Sequence, residues 1–346
     1  MKRLLLPLLL IGLAEDVAGA DRLPIIDMHL HARRAAYAGS NPPPMCTPFA
    51  VMPRSDPAVS IYAGMSFHVD PPCEHPIPAA TSDEQVMRDT IAVMEKRNII
   101  GMVSGEPGLM AQWRAAAPHR IIPGIDLRLA GTPGVEHVAV RSVDELRALH
   151  ARGELAVLGE IMAQYEGVRA DDSRLEPYWA LAEELDIPVG IHMGPGEPGQ
   201  PYSATLAYRA RLGSPLALED LLVRHPKLRV YVMHAGYPFI DDLRALLFSH
   251  PQVYVDISSI VYTELRPAFY RYLQQIVEAG FADRILFGSD QMIWPGVIEP
   301  SIAAIEQAPF LNAAQKRDIL YNNAARFLRL TPEQIRAHHE MGRRGR

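Results

Sequence analysis

"LRVYVMHAGYPFIDDLRALLFSHPQVYVDISS", residues 228–259, decides the fold. It opens with an apolar run, "LRVYVMHAG", too continuous for a strand with one solvated face. "FIDDLRALLFSHP" then sets Ile240, Leu243, Leu246 and Leu247 at helical spacing, and the His-Pro pair ends that helix. A second apolar run, "VYVDISS", follows. Two buried strands joined by an amphipathic helix make a β-α-β unit, which requires a parallel sheet covered by helices. The same rhythm extends in both directions along the chain. Candidate strands are "LPIIDMHLH" (23–31), "NIIGMVSGEP" (98–107), "RIIPGIDLR" (120–128), "LAVLGEIM" (155–162), "IPVGIHMG" (187–194), the two runs just quoted, and "RILFGSD" (284–290). Eight units in a chain of 346 residues fit an α/β fold of the (β/α)8 TIM-barrel type. An open doubly wound sheet is the structural alternative, but no G-x-G-x-x-G follows the first strand.

The rhythm breaks once, at residues 35–82, a Pro-rich insertion with little periodicity. It follows the first strand, so it falls on the face where barrel sites are built, and a lid is expected there. Its histidines, His68 and His75, are expected at the surface or facing substrate. The chain's two cysteines, Cys46 and Cys73, both lie in this stretch.

Residues 1–20 combine a basic start (Lys2, Arg3), an apolar run from Leu4 to Ala14, and small residues at Ala18 and Ala20. That is the pattern of a secretory signal peptide, with cleavage expected near Ala20 and a single mature domain over 21–346. An exported chain, periplasmic or secreted, meets oxidising conditions, so a Cys46–Cys73 disulfide is expected. No later stretch is long and apolar enough for a membrane span. With a net charge of −6 there is no basic face to call for nucleic acid.

The polar residues that end the strands carry the chemistry. Asp27, His29 and His31 alternate onto one face of the first strand. Glu160 ends the fourth, His192 the fifth, His234 the sixth and Asp290 the eighth. In a barrel these ends meet at one mouth. A single buried histidine reads as a satisfied core group. Four histidines and two acids at independent strand ends suit a divalent cation instead, with zinc the first expectation. Trp113 and Trp179 read as core. His119, His225 and His250 read as structural, and His338 and His339 as part of a solvated tail.

"DMHLH", "GE", "GIHMG", "VMHAG" and "FGSD", in this order, resemble the amidohydrolase superfamily of metal-dependent barrels. "ILYNNAARFLRL" resembles the end of its amidohydrolase-related branch, the group related to aminocarboxymuconate semialdehyde decarboxylase. The resemblance spans about residues 24–330. It implies that His29, His31, His192 and Asp290 ligate a metal, and that Asp290 takes a proton from the attacking water. It implies that His234 is a second-metal ligand or a polarising group, and that Glu160 is a bridging ligand in some members. One or two ions and a homodimer are both compatible with it. Asp27 is expected to hydrogen-bond behind the histidines. For the small-molecule substrate, Tyr202, Arg209 and Arg211 after the fifth strand, and Trp294 beyond Asp290, are candidate contacts. The leading reading is an exported metal-dependent hydrolase of an amide, ester or lactone bond. A non-oxidative decarboxylase of the same branch is the first alternative, and a non-catalytic ligand-binding barrel with a structural metal is the second.

Overall fold

The structure, a computed structural model, describes residues 22–52, 56, 58, 73–129, 141–196, 199–202 and 207–344. The predicted signal peptide and His68 lie outside them. Eight strands alternate with helices: β1 (Ile25–Ala32), β2 (Ile99–Gly105), β3 (Ile121–Leu127), β4 (Val157–Ile161), β5 (Val189–His192), β6 (Val230–Met233), β7 (Val253–Asp256) and β8 (Ile285–Leu286). Each pairs in parallel with the next in sequence. The segment after β8 returns to β1: Met28 N–H donates to Phe287 O at 2.9 Å, His31 N–H to Gln291 O at 3.0 Å, and Asp290 N–H to His29 O at 2.7 Å. This is the expected (β/α)8 TIM barrel. β8 is shorter than the run Arg284–Asp290 that the sequence suggests, and Asp290 itself leaves extended geometry with φ of 55°.

Local chemistry sets the helix starts. Ser82 accepts the Gln85 N–H ahead of helix Asp83–Arg97, and Ser142 accepts the Glu145 N–H ahead of Val143–Ala151. Each such cap contributes about 1 kcal/mol. Trp113 and Trp179, both 1% exposed or less, pack between helices and sheet as expected. Ile26, Met28, Met102, Val157, Tyr231 and Leu286 form a second apolar cluster with Tyr321 and Phe327. Each such side chain contributes about 1.5–3 kcal/mol on burial, and together they make the barrel a packed core rather than a pore.

The tail corrects an expectation. Residues Pro332–Arg344 form a helix, with Ile335 and Met341 against the second cluster. His338 is half-buried, with Nδ1 3.0 Å from the Tyr321 hydroxyl, and its carbonyl accepts from Asn98 Nδ2. The apolar positions of this helix dock it, so the segment is not a solvated end. No helix among the described residues is long and apolar enough to cross a membrane.

The described parts of the insertion are sewn to the loop after β8. Met45 and Ile77 exchange main-chain hydrogen bonds, Ala80 N–H donates to Ile293 O, and Trp294 Nε1 donates to Pro43 O at 2.9 Å. Cys46 and Cys73 are disulfide-bonded, with Cα atoms 5.7 Å apart.

Candidate metal centre

His29 and His31 stand in β1, Glu160 in β4 and His192 at the end of β5, while His234 and Asp290 follow β6 and β8. All six are buried. Their Nε2 and carboxylate atoms converge. His29 Nε2 and His31 Nε2 face each other at 3.1 Å, and lie 3.5 and 3.2 Å from Asp290 Oδ1. Glu160 stands between two trios. Its Oε2 is 3.8 and 3.7 Å from His29 and His31, and its Oε1 is 3.8 and 3.5 Å from His192 and His234.

Every imidazole has its other nitrogen engaged. Nδ1 of His29 meets Ser258 Oγ at 2.8 Å, that of His31 meets Ser104 Oγ at 3.2 Å, and that of His192 meets Gln164 Oε1 at 2.9 Å. His234 Nδ1 lies 3.0 Å from the Ser258 carbonyl. Four Nε2 atoms and two carboxylates aimed at one space are donors of the kind a divalent metal takes, with the oriented outer partners such sites carry. The donor set therefore fits the ion.

The electrostatics agree. Burial works against ionising Glu160, yet His234, His29 and His192 hold its pKa well below the usual carboxylate range. Burial likewise opposes Asp290, and His29, His31 and His234 pull it down. Desolvation would lower His29, but Asp290, Asp256 and Glu160 raise it well above the ordinary histidine value. His192 is pushed down to about 3 by burial and by His234 beside it. Without a cation the two carboxylates are balanced by protons on imidazoles and by the nearby Arg33; a bound divalent ion would replace those protons.

Two of these residues sit on backbone that only local constraint maintains. His234 and Asp290 both have φ of 55°, sparsely populated for side chains of this size. Asp290 is held there by its N–H bond to His29 O. His234 is held by its N–H bond to Asp256 Oδ1 at 2.9 Å.

The amidohydrolase family model matches residues 26–330. The chain belongs to the amidohydrolase family. No curated protein matches the sequence. Among solved structures, an uncharacterized TIM-barrel protein from Bordetella bronchiseptica superposes with a TM-score of 0.59 at 19% identity, over 90% of this chain and 99% of that one. The 5-carboxyvanillate decarboxylase of Sphingomonas paucimobilis gives 0.53 at 15%, over 89% and 100%. A probable 2-pyrone-4,6-dicarboxylic acid hydrolase from Acinetobacter baumannii gives 0.52 at 15%, over 88% and 99%. At these identities the likeness is one of fold.

A cavity of about 220 Å³ opens onto the donors, with Tyr37, Phe49, Met162 and Tyr165 among its apolar walls. Arg33 and Glu264 are its other charged or acidic members besides the donors. Of the predicted substrate contacts, none lines it. Trp294 is fully buried, its indole N–H spent on Pro43 O, so it fastens the insertion instead. Tyr202 is 54% exposed, and Arg209 and Arg211 lie on the exposed 3-10 turns after β5. His75 is exposed beside Glu74, away from the donors. Asp27 stays behind the cluster, its Oδ1 accepting the N–H groups of His29 and Ser289 at 3.0 Å each. Burial pushes its pKa up to about 7.

Sequence reasoning missed Arg33, Asp126, Ser258 and Asp256. Asp126 and Asp256 carried the signal already used for the donors, an acid at the end of an apolar strand. Arg33 lies two residues past His31 on the same alternation.

Proposed function

We propose that the protein is an exported metal-dependent hydrolase, cleaving an amide, ester or lactone bond in a small molecule that carries an anionic group. The observation that carries this reading is the Glu160 carboxylate, one oxygen toward His29 and His31 and the other toward His192 and His234. With a carboxylate so placed, His29, His31 and Asp290 would hold one divalent ion and His192 and His234 a second, Glu160 serving both groups. Divalent ions there supply Lewis acidity and lower the pKa of water towards neutrality.

The chain's own residues supply the rest. Asp290, kept ionised by the imidazoles around it, takes the proton of the attacking water and passes it to the leaving group. His234, its Nδ1 engaged by Ser258, would offer Nε2 to the second ion at the wall of the cavity. Arg33 lines the cavity with its guanidinium paired through Nη1 to Asp126, and its remaining donors suit a substrate carboxylate. Tyr37, Phe49 and the insertion they belong to limit substrate size and exclude water. Export rests on the leader pattern, and a disulfide in the insertion agrees with an oxidising compartment.

The test is metal content and product together. Wild-type protein purified with zinc should hold close to two ions per chain, falling in Glu160→Ala, and should hydrolyse members of an ester, lactone and amide panel bearing carboxylates. Carbon dioxide release from those substrates would transfer the site to decarboxylation. A wild type that retains no divalent ion would overturn the metal reading.

A further inference from the structure

Behind the donor cluster, on the side away from the cavity, two side chains from the end of β7 are wholly enclosed. Asp256 and Ser258 are 0% exposed, and both touch His29 and His234. Ser258 Oγ lies 2.6 Å from Asp256 Oδ1, 2.8 Å from His29 Nδ1 and 3.1 Å from His234 Nδ1. A hydroxyl has one proton to give and two lone pairs to offer. Asp256 Oδ1 already accepts two main-chain N–H groups and so is an acceptor here; the Ser258 proton goes to it, and both lone pairs are left for the two imidazoles. Each imidazole must then carry its proton on Nδ1. For His234 a second contact demands the same: its Nδ1 is 3.0 Å from the Ser258 carbonyl, which can only accept. For His29 it is Asp256 Oδ2, 3.3 Å from Nδ1 and otherwise without a hydrogen-bond partner.

We propose that Ser258, backed by Asp256, is a tautomer clamp that fixes His29 and His234 as Nδ1–H imidazoles and so presents both Nε2 lone pairs to the metal centre. The proposal rests on the metal reading above for its purpose but not for its geometry. Neither residue touches substrate or the donor space; both are positioning residues. Because His29 belongs to one donor trio and His234 to the other, a single hydroxyl orients a ligand in each. Asp256 is itself immobilised: Oδ1 also accepts the N–H groups of His234 and Ser258, at 2.9 and 3.0 Å. The space around the clamp admits no extra atom. A Cβ on Gly288 would fall 3.0 Å from Ser258 Cβ and 3.1 Å from His29 Cβ. His29, His234 and Asp256 also bring Nδ1 and Oδ2 atoms together on this side. The Ser258 hydroxyl stands among them, so these atoms serve the clamp and hold no ion of their own.

Asp256→Asn separates this role from simple support. The amide is isosteric, and the two main-chain N–H groups keep its carbonyl at the Oδ1 position. Its NH2 then takes the Oδ2 position and points a donor at His29 Nδ1, which favours moving the His29 proton to Nε2 and blocks the ligand lone pair. A merely structural aspartate would tolerate Asn and suffer from Ala. The clamp predicts the reverse order for metal affinity, with Asn worse than Ala.

The experiment has two readouts. In metal-free protein labelled with nitrogen-15 histidine, at a pH raised until the nitrogen shifts show both rings neutral, long-range nitrogen–proton correlations should show His29 and His234 as Nδ1–H tautomers. His29 should become Nε2–H in Asp256→Asn. Chelator competition should show zinc binding weakened about 10–100-fold in Asp256→Asn and about 10-fold in Ser258→Ala, with melting of the metal-free proteins little changed. If Asp256→Asn fails to fold, Ser258→Ala carries both readouts, and loss of the uniform Nδ1–H state supports the clamp. Either histidine found as Nε2–H in the wild type overturns it, as does Asn binding zinc as tightly as wild type. A wild type with the stated tautomers that binds no zinc supports the clamp and overturns the metal reading instead.

Discussion

Asp126 Oδ1 accepts the main-chain N–H of Glu160 at 3.1 Å. The same carboxylate pairs through Oδ2 with Arg33 Nη1 at 3.2 Å, so one buried acid both seats Glu160 and neutralises the cavity's arginine. Burial would raise the Asp126 pKa, but Arg33, His31 and Ser104 more than offset that and hold it low. Asp126→Ala leaves the Arg33 charge buried and unpaired, a loss of about 3–5 kcal/mol in stability. It also releases Glu160, weakening zinc binding about 10–100-fold. Asp126→Asn offers one acceptor oxygen to two donors and should fall between wild type and Ala in both. Chemical denaturation and chelator competition measure the two losses; an Ala variant with unchanged zinc affinity would remove Asp126 from the site.

Gly194 sits where any side chain would strike His234. A Cβ there would lie 2.6 Å from both Cβ and Cδ2 of His234, against a residue already at positive φ. Gly194→Ala should therefore cost about 1–3 kcal/mol by overpacking. It should also swing the His234 ring from its place 3.5 Å from Glu160, lowering turnover at least tenfold. Gly108→Ala is the control. It lies in helix Pro107–Ala116 with nothing within 4 Å of an added Cβ, and should be neutral or stabilising by up to about 1 kcal/mol. Melting curves and turnover of the pair decide; equal behaviour would deny Gly194 a role in seating His234.

The donor residues were legible because strands betray themselves twice. Their apolar runs are continuous, and His29, His31, Glu160, His192, His234 and Asp290 each interrupt such a run at its end. The outer ring was legible in principle by the same signal, since Asp126 and Asp256 also end apolar strands. What the sequence does not carry is depth: an acid that meets the cavity and one that meets main-chain N–H groups behind it look alike in one dimension. The substrate contacts are a different case. Tyr202, Arg209 and Arg211 follow a donor strand in sequence, but adjacency in sequence does not fix a place on the wall, and none of the three is among the cavity's lining residues. Trp294 was chosen for adjacency to Asp290, and tertiary packing against Pro43 claimed it first.

The Cys46–Cys73 disulfide closes a loop of 27 residues' separation within the insertion that brings Phe49 and Met52 to the cavity. In the chain-entropy account a loop of this length is worth about 2–4 kcal/mol. Reduction, or Cys46→Ser with Cys73→Ser, should lower stability by up to that amount. It should raise KM more than it lowers kcat, because the apolar wall loosens while the donors, held in strands, stay in place. Steady-state kinetics with and without reductant make the comparison. A loss confined to kcat would mean that the insertion acts on the chemical step rather than on binding.

His338 offers a pH test far from the donors. Burial, with His339 and Arg120 nearby, pushes its pKa down to about 4 from the ordinary 6.5. The native state therefore keeps it neutral, its Nδ1 beside the Tyr321 hydroxyl, while the unfolded chain binds a proton below about 6.5. Its contribution to stability is full above that pH and is lost progressively as the pH falls from about 6.5 towards about 4. The helix Pro332–Arg344 is the element released, since His338 sits at its contact with Tyr321 and Asn98. Melting temperature should fall between pH 7 and pH 5, and His338→Gln, which cannot take up that proton, should show a smaller fall. Hydrogen exchange confined to residues 332–344 on acidification would place the loss in that helix. A pH dependence identical in the variant would mean that other groups govern acid stability.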